Sequence, residues 1–113
     1  MAEVPQPSRL PDGRLLLQIT DRTGGLVIGR AELGGEFNPD LDLTPFDALG
    51  AGVSRRHAAL VQYHERLHIL DLDSANGTYL NGRRVPPHVP MRLKHDDVVR
   101  LGSMLILISV VIE

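Results

Sequence analysis

Short apolar runs, broken at close intervals by glycine, proline, asparagine and aspartate, constrain the fold of this 113-residue chain more than any other feature. Within residues 14–20, Leu15, Leu17 and Ile19 recur with period two and share one face, as in a strand. Nowhere does a capped pattern of period 3.6 persist for ten residues. The sequence therefore predicts an all-β sandwich of many short strands.

The predicted strands follow one another along the chain with turn residues between them. They cover residues 14–20, 26–28, 41–43, 57–63, 67–72, 78–80, 98–101 and 104–112. The last run is apolar on both faces, which predicts a fully covered strand. A tight hairpin is expected at residues 64–66, and Asn81-Gly82 predicts a tight reversal because this dipeptide suits positive φ.

Composition and charge narrow the classes of function. The formal net charge of −2 argues against nucleic acid as the main ligand, because binding to a phosphate backbone needs a basic excess. The absence of cysteine excludes a disulfide framework and a thiolate metal site and is compatible with a reducing cytoplasm, the expected location. Residues 104–112 are too few to span a bilayer as a helix, and no cofactor or metal is expected.

The chain is expected to divide at residue 14. Residues 1–13 contain Pro5, Pro7 and Pro11 but no apolar stretch of the kind found in secretory signals, so they predict a flexible lead-in. Residues 14–113 have a length that one hydrophobic core can organise, which predicts a single domain.

Three polar clusters stand at the ends of predicted strands, in residues 29–30, 54–57 and 74–78. Loops gather at the ends of a sandwich, so clusters that are distant in sequence can meet there. The first two supply guanidinium groups and a hydroxyl, and the third supplies a carboxamide. This combination suits a doubly charged oxyanion carried on a peptide, and Arg83 and Arg84 would extend the basic patch.

The motifs Leu-Val-Ile-Gly-Arg, Gly-Val-Ser-Arg-Arg-His-Ala and Asp-Leu-Asp-Ser-Ala-Asn-Gly-Thr-Tyr-Leu-Asn-Gly, in this order, resemble those of the forkhead-associated (FHA) domain, bacterial type. The resemblance covers residues 14–112. It implies an FHA/SMAD-like sandwich of two antiparallel sheets with ten or eleven short strands. It also implies a non-enzymatic signal-transduction module that binds phosphothreonine in a partner protein, a Ser/Thr kinase or its substrate.

The resemblance and the basic patch together assign roles to single residues. The residues expected to contact phosphate are Arg30, Ser54 and Arg55. Those expected to contact the peptide are Asn76, Ala75, Arg56 and Arg83. Those expected to support the loops are Gly29, His57, Gly77, Thr78, Asn81 and Gly82. This chain differs from some members of the family at Ala75, where they use threonine, and at Gly52, where they place a basic residue. The 23 residues between Arg30 and Ser54 make a long version of that loop.

Other functions compete with this hypothesis. One keeps the fold without phosphate binding, as a scaffold or oligomerisation domain that docks through a sheet face. Another is a hydrolase using Ser54 and His57, although the sequence lacks the second glycine of a nucleophile elbow. His57 is instead interpreted as a buried hydrogen-bonding residue, and His64 and His68 are expected to be exposed and unrelated rather than a metal pair.

Overall fold

Eleven β-strands and one short 3-10 helix make up the computed structural model, which describes residues 4–113. The strands are β1 (Ser8–Arg9), β2 (Leu15–Thr20), β3 (Leu26–Gly29), β4 (Leu41–Asp42), β5 (Arg56–Tyr63), β6 (Arg66–Asp71), β7 (Thr78–Leu80), β8 (Arg83–Arg84), β9 (Met91–Arg92), β10 (Val98–Leu101) and β11 (Met104–Val111). The 3-10 helix covers Thr44–Phe46. The predicted all-β sandwich of ten or eleven short strands is confirmed.

The strands form a six-stranded sheet in the order β1-β2-β11-β10-β7-β8 and a five-stranded sheet in the order β4-β3-β5-β6-β9. Most neighbours pair antiparallel, as predicted, but two pairs are parallel. These are β2 with β11 and β3 with β4. The β2/β11 pairing runs from Leu15 opposite Ile106 to Thr20 opposite Val111, so an early strand and the last strand lie side by side.

The core lies between the two sheets and is almost entirely aliphatic. Leu15, Leu17 and Ile19 of β2 are at most 3% exposed, in agreement with the period-two pattern. From the facing sheet, Leu60 and Ile69 are buried in the same cluster. Because Leu, Ile and Val fill this layer, the fold needs no large aromatic side chain at its centre.

The prediction that the last apolar run is covered on both faces is wrong. In β11 the side chains alternate between buried and more exposed positions, and Leu105 is 40% exposed. The strand has hydrogen-bonded neighbours on both edges, β2 and β10, but its outer face, with Leu105, is not buried by other residues of 4–113. The outer-face positions of β11 also carry apolar residues, so the sequence does not show the alternation of a strand that is buried on one face only.

Three two-residue strands were not predicted: β1, β8 and β9. Strand β1 pairs with β2 and lies within the segment interpreted as a lead-in, of which residues 1–3 fall outside the described part of the chain. A domain boundary at residue 14 stays a prediction. Among residues 4–113, no helix is long and apolar enough to cross a membrane.

Two tight hairpins shape the ends of the sheets. Between β7 and β8, Asn81 and Gly82 have φ angles of 50° and 85°, which fits the expected reversal. The Asn81 side chain also joins this turn to the loop before β10, because its Oδ1 accepts from the Val98 N–H at 2.8 Å. Between β5 and β6, His64 and Glu65 form a two-residue turn, both at positive φ.

Gly29 ends β3 at a bulge and is buried against the loop that precedes β5. A Cβ at this position would collide with the backbone of Arg55. We expect Gly29→Ala to lower the free energy of unfolding by about 3 kcal/mol or more, since backbone must move to make room. Gly25→Ala is the control. Gly25 has a φ of +69°, but nothing lies near an added Cβ, so this substitution should lower the free energy of unfolding by only about 1 kcal/mol. Urea unfolding measures both, and equal losses would contradict the close approach at Gly29.

Candidate functional site

Three loops meet at one end of the sandwich and bring the predicted phosphate-binding residues together. Arg30, just after β3, donates its backbone N–H to the Arg55 carbonyl at 3.1 Å. Its Nε donates to the Val53 carbonyl at 3.0 Å, so the side chain lies against the loop that carries Ser54. The Arg30 side chain is only 17% exposed. Its guanidinium is thus held in place while its Nη groups remain at the surface edge.

Ser54 connects this loop to the one before β7. Its Oγ accepts a hydrogen bond from the Ala75 N–H at 3.1 Å. Ala75 therefore contributes its backbone to the site. Because that bond uses an acceptor position of the hydroxyl, the Ser54 O–H can still donate to an anion.

Asn76 follows Ala75 in the loop before β7 and bonds the loop that carries Ser54. Its Nδ2 donates to the Gly52 carbonyl at 2.9 Å, and the residue is exposed. Among residues 4–113 no partner bonds to its Oδ1. The carboxamide is thus anchored through one N–H and keeps an acceptor and a second N–H for a ligand backbone.

His57 is fully buried and holds two of the loops in register. Its Nδ1 accepts from the Ser54 N–H at 3.0 Å, so the proton sits on Nε2, which donates to the Gly77 carbonyl at 2.9 Å. Burial lowers the pKa of His57, and the hydrogen bond to Gly77 and the charge of Asp71 only partly oppose this. The ring bonds the backbone of Ser54 and not its hydroxyl, which gives no support to a Ser-His hydrolytic pair.

A buried carboxylate shapes the loop between β6 and β7. Asp71 Oδ1 accepts from Ser74 Oγ and from Thr78 Oγ1, both at 2.6 Å. Ser74 Oγ in turn accepts from the Gly77 N–H at 3.1 Å, which closes the turn that presents Asn76. The roles of Asp71 and Ser74 were not predicted, although the aspartate at the end of an apolar run was visible in the sequence.

Glu32 lies in the candidate site, and the sequence did not identify it. Its Oε1 lies 3.6 Å from Arg30 Nη1, and its Oε2 lies 3.3 Å from Arg55 Nη1. One carboxylate therefore bridges the two guanidinium groups expected to bind phosphate. An acid two residues after Arg30 was the only indication in the sequence, and it does not reveal the contact with Arg55.

Arg56 and Phe37 lie beside Ser54 and Arg55 in the candidate site. The Arg56 Cζ lies 4.1 Å from the centroid of the Phe37 ring, a cation–π contact. These two residues, with Ser54 and Arg55, line an open cavity of about 420 Å³. Phe37 belongs to the long segment between Arg30 and Ser54, and the sequence did not identify it as part of the site.

Some predicted residues lie apart from this cluster. Within the described chain, Arg83 makes no hydrogen bond or ion pair with Arg30, Ser54 or Arg55; it lies exposed on edge strand β8. Residues 4–113 contain no group of three or more histidine, cysteine or acidic side chains that could hold a metal. His64 and His68 both contact the ring of Tyr63 instead, with centroids 4.3 and 5.3 Å away, and His68 is half-buried rather than exposed.

Comparisons with known proteins agree with this architecture. The FHA domain family matches residues 26–102. The human nuclear inhibitor of protein phosphatase 1 is 39% identical over 70 residues, which cover 59% of this chain but only 20% of that protein. This chain thus spans about a fifth of the length of the curated relatives it matches.

Solved structures show the same fold over most of the chain. A structure from a study of phosphothreonine-dependent FHA domain interactions is 29% identical, with a TM-score of 0.59, and covers 89% of this chain and 88% of its own. The FhaA FHA domain, solved in complex with an intracellular domain of another protein, is also 29% identical. Its TM-score is 0.58, and the alignment covers 89% of this chain and 92% of that one.

The neutral state of His57 leads to a prediction about pH. Its pKa in the folded protein lies below the ordinary 6.5, so the native state binds fewer protons than the unfolded state. The stability that His57 contributes is therefore fully present above pH 6.5 and is lost as pH falls below it, toward the folded pKa. Urea unfolding over a pH series that spans this value should show the loss.

An NMR titration of the ring isolates this group from the other histidines. The His57 ring should titrate at lower pH than histidine in a short peptide, and His57→Gln should remove its share of the pH dependence. A His57 ring that titrates above 6.5 would contradict the assigned tautomer and its two hydrogen bonds.

Proposed function

This chain belongs to the FHA domain family, and we propose that its Arg30, Ser54 and Arg55 cluster binds phosphothreonine in a partner protein. Domains of this family are interaction modules rather than enzymes. The proposed role is therefore recognition without chemistry, in signalling downstream of a Ser/Thr kinase. The partner is a phosphorylated protein, the kinase itself or one of its substrates.

The observation that carries this proposal is the Glu32 carboxylate between Arg30 and Arg55. An oxyanion of the protein itself already fits between these two guanidinium groups. A phosphate carries up to twice its charge and offers three acceptor oxygens, so it would displace the carboxylate and gain bonds. Ser54 lines the same cavity as Arg55, so its hydroxyl could supply a further donor.

The peptide backbone would be held next to the phosphate by Asn76. Its free Oδ1 can accept from a peptide N–H, and its second N–H can donate to a peptide carbonyl. Charge-assisted hydrogen bonds contribute roughly 1.5 to 3 kcal/mol each, and association costs offset part of the sum. A few such bonds give an affinity on the order of micromolar, suited to transient signalling.

A solved FHA relative studied for phosphothreonine-dependent interactions supports phosphothreonine as the ligand. Preference for threonine over serine would rest on burial of one methyl group, worth roughly 0.8 kcal/mol. Assignment to a bacterial type of FHA domain and a cytoplasmic location stay predictions from the sequence, since the matched curated relatives are mammalian. A scaffold would bind its partner with or without phosphate. A titration with phosphorylated and unphosphorylated peptides therefore separates the two functions.

We expect Arg30→Ala to weaken binding of a phosphothreonine peptide by about 30-fold or more, because a desolvated charged partner is lost. The free energy of unfolding should fall by only about 1 kcal/mol, the share of the Nε bond to Val53. Arg22→Ala, an exposed arginine away from the site, is the matched control. Fluorescence anisotropy with matched phosphothreonine, phosphoserine and threonine peptides measures the effect. Equal binding of all three peptides would sink the phosphate proposal in favour of a scaffold.

Replacing Glu32 tests whether its carboxylate occupies the place of the phosphate. We expect Glu32→Gln to strengthen phosphothreonine-peptide binding by about 3- to 10-fold, since the ligand no longer displaces an anion. Glu36→Gln removes a charge from the same exposed segment without touching either arginine and should change little. Isothermal titration calorimetry compares them. Weaker binding by Glu32→Gln would show that the carboxylate orients the arginines instead of competing.

A further inference from the structure

The guanidinium of Arg56 lacks the acidic neighbour that the other two arginines of the site have. Arg30 and Arg55 share Glu32, whereas Arg56 forms no ion pair with any residue of the described chain. It is exposed at the first position of β5, and no carboxylate of residues 4–113 neutralises its charge. A positive group of this kind beside a ligand site is free to pair with a ligand.

Phe37 gives this free charge a fixed position. The guanidinium lies over the ring at 4.1 Å from its centroid, and the ring itself is half-buried. Stacking covers one face of the guanidinium and leaves its N–H edge available for in-plane hydrogen bonds. Because Arg56 is held in this way, pairing with a carboxylate costs less side-chain entropy than it would for a mobile surface arginine.

The cavity beside this pair is continuous with the proposed phosphate site. Its four lining residues are Phe37, Ser54, Arg55 and Arg56, two of which belong to the phosphate cluster. Asn76 is not among the residues that line this cavity in the described chain, and its side chain bonds Gly52 instead. A peptide whose phosphate reaches Ser54 and whose backbone reaches Asn76 would place its residues on the opposite side of the phosphothreonine over Phe37 and Arg56.

We propose that Phe37 and Arg56 form a second subsite that selects an acidic side chain, Asp or Glu, flanking the phosphothreonine on the side away from Asn76. This subsite rests on the proposed function and refines it. The partner is then a protein phosphorylated at a threonine with an acidic residue next to it on that side. A bidentate contact between carboxylate and guanidinium supplies the selection.

The test compares phosphothreonine peptides in which each flanking position in turn carries Glu or the isosteric Gln. Binding is measured by fluorescence anisotropy at constant salt. We expect Glu to bind about 3- to 10-fold more tightly than Gln at one or two adjacent positions on one side of the phosphothreonine, the size of a partly exposed ion pair.

Variants then assign that preference to the subsite. Arg56→Gln should abolish the Glu preference at those positions, so that the Glu and Gln peptides bind this variant equally well. Phe37→Leu, which keeps an apolar contact but loses the ring, should reduce the preference without abolishing it. Arg66→Gln is the matched control. Arg66 is also an exposed arginine, but it lies next to the turn of the β5/β6 hairpin, whereas Arg56 lies at the far end of β5.

Three results would overturn the subsite. These are no Glu preference at any position, an equal preference on both sides of the phosphothreonine, and a preference that survives in Arg56→Gln. None of these results would contradict phosphothreonine binding itself, because the phosphorylated Gln peptides measure that binding separately. Failure of the phosphorylated Gln peptides to bind better than their threonine counterparts would instead overturn the proposed function, and the subsite with it.

Discussion

The site depends on one neutral imidazole. His57 is fully buried, and its two ring nitrogens bond the backbone of Ser54 in one loop and of Gly77 in another, where Gly77 lies 20 residues after His57. A rigid ring with a donor on one side and an acceptor on the other fixes both the distance and the orientation of these loops. Protonation would place a second N–H against the Ser54 amide and break this connection. Burial therefore does two things at once: it fills the core and keeps the ring in the only state that can hold both loops.

The polar side chains around this ring are arranged in a similar way. Each uses one polar group to fix its own position and keeps another for a ligand. Arg30 bonds Val53 through Nε and keeps its Nη groups, Ser54 accepts from Ala75 and keeps its hydroxyl proton, and Asn76 anchors one N–H and keeps its Oδ1. Side chains that are already immobilised lose little entropy when a ligand binds. This arrangement would favour the proposed binding at a small, exposed site without an enclosed pocket.

The sequence predicted the fold well, for reasons that lie in particular residues, while the roles of the central cluster stay predictions. Long strands such as β2 carry a period-two pattern that exists before any tertiary contact, and the reversal at Asn81-Gly82 follows from backbone preference. The short strands β1, β8 and β9 carry no such pattern, because two residues become a strand only when a neighbouring strand pairs with them. For the same reason Glu32 and Phe37 could not be found: their partners Arg55 and Arg56 lie more than 15 residues away, across a segment whose path the sequence does not specify.

The long segment between Arg30 and Ser54 is less free than its length suggests. Asp40 accepts from the Val27 N–H, Asp42 accepts from the Ala31 N–H, and Leu41 and Leu43 are buried in the core. Most of the segment is thus attached to β3 and to the sandwich, and the contacts with the arginines of the site come from Glu32 and Phe37 in its short first part. Because loop entropy grows slowly with length, the anchored part costs stability little, while the short free part carries both Glu32 and Phe37. Ligand selectivity can therefore change through these few residues while the core and the His57 ring stay as they are.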